Sequence, residues 1–122
     1  MPRNFRMLVV EDDKDMRTGL VQQFETEGFT VDTADDGIPA LKKIQKNHYD
    51  IVLLDLKLPR MDGLRLLEKM KHMQRIPKVI VITAVNLLST AEECARLGAT
   101  DFISKPYDPE ELLNIVMRTL SS

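Results

Sequence analysis

The sequence has little of the material from which disulfide, zinc or histidine chemistry is built. Its 122 residues include one cysteine, Cys94, and two histidines, His48 and His72. A single cysteine excludes an internal disulfide and a cysteine-based metal cage, so we expect Cys94 to pack inside a helix. Two isolated histidines supply little for a zinc site or a histidine-centred catalytic triad. Function therefore has to come from other side chains.

A strong charge of one sign and long apolar runs are also lacking. The formal net charge is −2, so no basic field predicts direct nucleic-acid binding. No apolar run approaches the roughly 20 residues of a membrane span. The amino terminus reaches acidic residues too soon for a secretory signal, which favours a cytoplasmic location. The length predicts one domain, covering 1–122, with no room for a second.

Short apolar segments alternate five times with amphipathic ones. Residues 51–54, IVLL, contain no polar side chain, which is typical of a strand buried on both faces of a parallel sheet. This pattern predicts an α/β fold: a single doubly wound (βα)5 domain with a five-stranded parallel sheet and helices on both faces. The predicted strands are 5–10, 29–34, 50–56, 78–83 and 100–104. The predicted helices are 13–28, 36–47, 61–73, 87–99 and 108–120.

Polar side chains stand where four of the predicted strands end. These residues are Glu11, Asp12, Asp55, Thr83 and Lys105. Open parallel sheets bind ligands at the carboxyl ends of their strands, so we expect these side chains to face one site.

The residue types in this group are the parts needed for phosphoryl transfer onto a carboxylate. Clustered carboxylates repel one another unless a cation offsets them, and Mg²⁺ commonly binds through one or two carboxylates. A lysine ammonium and a threonine hydroxyl can both donate to phosphoryl oxygens. Asp55 is then the nucleophile at the end of its strand.

Each residue also has a purely structural explanation. Asp55 could simply end its strand, Thr83 could be a β-branched strand residue, and Lys105 could be a surface lysine. Their combination favours the functional explanation. We expect Asp13 to cap the first helix and Asp62 to lie in a turn.

Four segments, LVVEDD, DIVLLDLKLPRMDGL, VIVITA and GATDFISKPYD, resemble the receiver domain of two-component response regulators. The resemblance covers essentially the whole chain, and it implies the strand order 2-1-3-4-5. It also implies a phosphorylation-activated signalling switch in which Asp55 accepts a phosphoryl group from the phosphohistidine of a histidine kinase. The implied cofactor is Mg²⁺, held by Glu11, Asp12, Asp55 and the backbone carbonyl of Lys57.

The same resemblance implies how the switch responds. Lys105, preceding a cis bond to Pro106, would contact the phosphoryl group, Thr83 would turn inward to bind it, and Phe102 would follow as the aromatic switch. The surface of the fourth helix, fifth strand and fifth helix would then change.

Partners and alternatives follow from this resemblance. The expected partners are a sensor histidine kinase or phosphotransfer protein, an output domain or downstream protein, and a second copy when phosphorylated. Such a domain is not an enzyme, although it assists its own phosphotransfer and dephosphorylation. The alternative is a small Mg²⁺-dependent phosphohydrolase with an aspartyl-phosphate intermediate. Those enzymes carry a second acid two residues after the nucleophile, where this chain has Lys57.

Overall fold

The computed structural model describes residues 4–122 and contains a five-stranded parallel sheet of order β2-β1-β3-β4-β5. The predicted α/β class, parallel pairing and strand order are confirmed. The strands are β1 (Arg6–Val10), β2 (Thr30–Ala34), β3 (Ile51–Leu54), β4 (Lys78–Thr83) and β5 (Asp101–Ser104). The helices are α1 (Lys14–Thr26), α2 (Gly37–Lys46), α3 (Gly63–Met70), α4 (Leu88–Arg96) and α5 (Pro109–Leu120).

Helices cover both faces of the sheet because successive strand side chains point to opposite sides. In β1, Met7 and Val9 enter one core, whereas Leu8 and Val10 enter the other. The first core is closed by α1 and α5, and the second by α2, α3 and α4. Helix residues of the first core are Leu20, Phe24, Leu112 and Val116, and those of the second are Ala40, Ile44, Leu66, Leu67, Met70 and Cys94.

The helix limits differ from the predicted ones by up to three residues, mostly because capping residues had been counted as helix. Asp13 and Asp108 each accept a hydrogen bond from a first-turn amide and lie just outside their helices. Asp62, expected only in a turn, is the N-cap of α3. Beyond α1, Gly28 has φ 95°, a conformation that favours glycine.

No helix in the part of the chain from residue 4 onward is both long and apolar enough to cross a lipid bilayer.

Candidate phosphoacceptor site

Four polar residues stand at the carboxyl edge of the sheet. Glu11 follows β1, Asp55 follows β3, Lys105 follows β5, and Thr83 ends β4. Sheet hydrogen bonding continues one residue past the strands, since the Asp55 amide donates to the Val10 carbonyl at 3.0 Å. The Lys105 amide likewise donates to the Thr83 carbonyl at 2.8 Å. The sheet itself therefore positions the backbone of these residues.

Lys105 joins the two buried carboxylates of the site. Its Nζ lies 2.6 Å from Asp55 Oδ2 and 3.0 Å from Glu11 Oε1. Glu11 is only 3% exposed and Asp55 only 5%. Removing a charged group from water is unfavourable unless opposite charge and hydrogen bonds replace the lost hydration. The ammonium supplies that replacement, so the three side chains form one coupled unit.

Glu11, Asp12 and Asp55 form an acidic cluster in which one carboxylate oxygen from each residue lies within 4.8 Å of the others. Asp12 is exposed, whereas backbone amides orient the other two carboxylates. The Asp13 amide donates to Glu11 Oε2 at 3.1 Å, and the Lys57 amide donates to Asp55 Oδ1 at 3.2 Å. One solvent-facing and two oriented carboxylates make a donor set that suits a hard divalent cation.

The protonation equilibria of this unit are shifted by burial and by its internal ion pairs. Burial raises the pKa of Glu11, the negative charge of Asp55 adds to that effect, and bonds from the Asp13 amide and Lys105 offset part of it. For Lys105, burial favours the neutral amine, but the bonds to Asp55 and Glu11 outweigh it and raise the pKa. Lys105 therefore stays cationic, while the fold opposes the ionisation of Glu11.

Thr83 is the last residue of β4, and Phe102 lies within β5, three residues before Lys105. Thr83 is buried, and its Oγ1 accepts a hydrogen bond from the Val85 amide at 3.2 Å. Because the hydroxyl acts there as an acceptor, its own hydrogen remains available for donation. Phe102 is half-buried and packs against the core beneath α2, α3 and α4.

The structure brings Glu11, Asp12, Asp55 and Lys105 together, as the sequence pattern predicts. The peptide bond from Lys105 to Pro106 is cis. The roles of these residues toward Mg²⁺ and a phosphoryl group stay predictions, as do those of Thr83, Phe102 and the Lys57 carbonyl.

Two further residues shape the site and were not predicted. Arg17 Nη1 donates to the Glu11 carbonyl at 2.9 Å, which ties α1 to the end of β1. Gly63 approaches the chain after β3 so closely that a Cβ would lie 2.6 Å from Leu56 Cα and 2.7 Å from the Asp55 carbonyl oxygen. The Asp62-Gly63 pair at the start of the third helix was a signal for Gly63, whereas a lone helical arginine such as Arg17 carries none.

The loop between β3 and α3 is also anchored to α2. Arg60 has φ 60°, an uncommon conformation for a residue with a side chain. Its Nε lies 2.5 Å from Asp36 Oδ2. The Ile38 amide, and secondarily Arg60, lower the pKa of Asp36, so this carboxylate stays ionised. The ion pair holds the loop that follows Asp55 against the start of α2.

Comparison with known families agrees with this geometry. The model of the response regulator receiver domain family matches residues 7–117. The chain belongs to this family, which does not favour the phosphohydrolase alternative.

Three known proteins illustrate the likeness. The chain is 38% identical over 115 residues to regulatory protein AtoC of Escherichia coli K12, covering 94% of this chain and 25% of AtoC. It is 36% identical over 117 residues to sporulation initiation phosphotransferase F of Bacillus subtilis 168, covering 96% of this chain and 94% of that protein. The receiver domain of the sensor histidine kinase PA1611 of Pseudomonas aeruginosa PAO1 superposes with a TM-score of 0.89 at 28% identity. That match covers 98% of this chain and all of that domain, whose active-site cleft coordinates a magnesium ion.

Proposed function

We propose that this chain is a phosphorylation-activated signalling switch whose acceptor is Asp55. The donor would be a phosphohistidine on a sensor histidine kinase or phosphotransfer protein, in the cytoplasm. The observation that carries the proposal is the position of Asp55, a buried carboxylate at a strand end that is bonded to Lys105 and flanked by Glu11 and Asp12.

The transfer is a displacement at phosphorus. A carboxylate oxygen of Asp55 attacks the phosphorus, the phosphorus–nitrogen bond breaks, and its electron pair returns to the donor imidazole. Negative charge builds on the equatorial phosphoryl oxygens during this step. Lys105 is already 2.6 Å from the acceptor carboxylate, so its ammonium can contact that charge without a large movement.

Mg²⁺ is the proposed cofactor, and the acidic cluster fits it. Glu11, Asp12 and Asp55 offer carboxylate oxygens, and the backbone carbonyl of Lys57 would add another oxygen ligand. When bound, the cation would neutralise both the clustered carboxylates and the arriving phosphoryl group. Asp12, the exposed member, is open to an ion arriving from solvent.

Phosphorylation would change the conformation of residues on β4 and β5. A phosphoryl group adds about −1.5 to −2 charge units and three acceptor oxygens. Thr83 would exchange its bond from the Val85 amide for donation to the phosphoryl group, and Phe102 would move with it. The surface of α4, β5 and α5 would then favour an output domain, a downstream protein or a second phosphorylated copy.

The decisive experiment adds acetyl phosphate and Mg²⁺ to the purified protein and follows its intact mass. We expect one phosphoryl group per chain, none without Mg²⁺, and none on Asp55→Asn. Asp35→Asn is the matched control, because Asp35 is an exposed acid outside the cluster and should leave uptake unchanged. Repeated release of free phosphate without a stable adduct would instead indicate a hydrolase. Equal labelling of Asp55→Asn would refute Asp55 as acceptor.

A further inference from the structure

A cleft of about 430 Å³ lies at the opposite, amino end of the sheet. It opens between the loop that joins α2 to β3 and the loop that joins α3 to β4. Its lining includes Lys46, His48 and Arg75 together with the apolar surfaces of Tyr49, Met73 and Pro77. It lies well away from the phosphoacceptor site, and nothing in the proposed phosphotransfer uses it.

The chain around this cleft is strongly basic although the whole protein is slightly acidic. Residues 42–48 and 69–78 hold seven of the 17 Lys and Arg residues, both histidines, and none of the 19 Asp and Glu residues. The segregation produces a local positive field of the kind that attracts anions.

The basic side chains lining the cleft have no partner within the described part of the chain. Among residues 4–122, Lys46, His48 and Arg75 make no side-chain hydrogen bond and no ion pair. The nearby carboxylate of Asp32 is engaged elsewhere, since it accepts from Arg6 and from the Tyr49 hydroxyl. The three side chains can therefore meet a ligand without first breaking contacts.

Compensation of helix dipoles does not account for this cluster. Lys46 is the last residue of α2, where a cation balances roughly half a negative charge. Arg75, however, lies five residues beyond the end of α3, and His48 lies beyond the end of α2. Near the end of α2, the Lys43 carbonyl already accepts from both the Asn47 backbone amide and the Asn47 side-chain amide.

We propose that this cleft binds a small organic anion, in which a phosphate or carboxylate group is attached to an apolar body. The unpaired Lys46 and Arg75 would bind the anionic group, and the apolar wall of Met73 and Pro77 would pack against the body. The volume falls within the range of small-molecule sites, which favours such a ligand over an extended peptide or nucleic acid.

The test is a titration followed by amide chemical shifts in Mg²⁺-free buffer at physiological salt. The probes are naphthyl phosphate and naphthoate, which combine both features, with inorganic phosphate for the anion alone and naphthol for the apolar body alone. We expect saturable shifts at residues 44–49 and 73–76 with a Kd below about 1 mM for at least one combined probe. Inorganic phosphate and naphthol should each bind more weakly, and the stronger combined probe identifies the anionic group.

Matched variants make the result specific. The double variant Lys46→Gln with Arg75→Gln should weaken binding about tenfold or more, because two charge-assisted contacts are lost. Lys42→Gln, on the same helix but outside the lining, should change affinity less than about twofold, since an exposed charge is screened. All three side chains are exposed, and unchanged thermal unfolding will confirm that the variants fold.

Several outcomes would overturn the proposal. These are no saturation up to about 10 mM probe, equal affinity of the double variant, or shifts that map to the Asp55 site. Binding of inorganic phosphate as tightly as naphthyl phosphate would refute the apolar subsite. Binding of polyglutamate with no binding of the small probes would assign the surface to an acidic protein instead. Phosphorylation of Asp55 should be unchanged in the double variant. Anion binding in the cleft and phosphorylation of Asp55 can therefore be refuted separately.

Discussion

The two ends of the sheet both gather like charges, but they hold them in opposite ways. At the carboxyl end, Glu11 and Asp55 are buried, and Lys105 bonds to both. At the amino end, Lys46 and Arg75 are exposed and, within residues 4–122, unpaired. Buried charge needs a partner because its hydration is lost, whereas exposed charge is screened by water and salt. Mutations of Glu11, Asp55 and Lys105 should therefore have interdependent effects on the free energy of unfolding. Mutations of Lys46 and Arg75 should have independent effects.

The largest expected effect comes from removing the lysine of the carboxyl-end site, with the exposed lysine of the amino end as its control. Lys105→Met should lower the free energy of unfolding by about 3 kcal/mol, because Glu11 and Asp55 lose their buried partner. Lys46→Met, at the exposed end, should change it by less than about 0.5 kcal/mol. Urea unfolding in Mg²⁺-free buffer measures both values. Equal losses in the two variants would contradict the difference between buried and exposed charge. Added Mg²⁺ should restore part of the stability lost in Lys105→Met.

A second prediction concerns the tight packing behind the carboxyl-end site. Gly63→Ala should destabilise the protein by about 2 kcal/mol, because the new Cβ overlaps Leu56 Cα and the Asp55 carbonyl oxygen. Gly19→Ala is the matched control, since a Cβ there meets nothing within 4 Å. In the exposed interior of α1 it should stabilise by about 0.5–1 kcal/mol. Thermal unfolding of both variants measures the difference, and a neutral Gly63→Ala would contradict the close approach.

A smaller effect is expected at the start of α4. The other four helices begin with an Asp side chain that accepts a first-turn amide, which adds to the acidity of the carboxyl end. Leu87 occupies the same position in α4 without a side-chain cap. Leu87→Asp should therefore stabilise the protein by about 0.5–1 kcal/mol. Leu88→Asp, one residue inside the helix and similarly exposed, should stabilise less, and the reverse order in chemical unfolding would argue against capping.

The smallest expected effect is a pH dependence confined to the carboxyl end. Burial raises the pKa of Glu11 above its ordinary value of 4.5. Between pH 4.5 and the raised pKa, the Glu11 carboxyl is therefore protonated in the folded protein and ionised in the unfolded chain. Stability contributed by this proton is therefore lost as pH rises from 4.5 through the raised pKa. Relative to the wild type, Glu11→Gln should gain stability over this interval in Mg²⁺-free buffer. A stability difference that does not vary with pH would contradict the shift.

The sequence predicted the elements because their patterns are local. The unbroken apolar run in β3 and the Asp caps of α1 and α5 are each visible within a few residues. The grouping of Glu11, Asp55 and Lys105 was predictable for a more general reason. In a parallel sheet the carboxyl ends of all strands meet at one edge, so residues that end strands become neighbours.

Contacts between loops that are distant in the chain could not be predicted from a local sequence pattern. Arg60 and Asp36 form an ion pair across 24 residues, and no local pattern marks either as a partner. The cleft lined by Lys46 and Arg75 likewise joins two loops that are separate in the chain. In the sequence, none of these residues is distinguishable from an ordinary surface charge, although Asp36 is buried in the structure.

The order of apolar and polar residues by itself determined the alternating elements, the parallel sheet and the residues at the strand ends, because hydrophobic periodicity and strand direction follow from local chemistry. Tertiary structure alone decided that Lys105 bonds to both Glu11 and Asp55, that Gly63 must lack a side chain, and that the basic loops enclose a cleft. Those outcomes depend on distances of a few ångströms between separate segments, which only the packing of helices on the sheet sets.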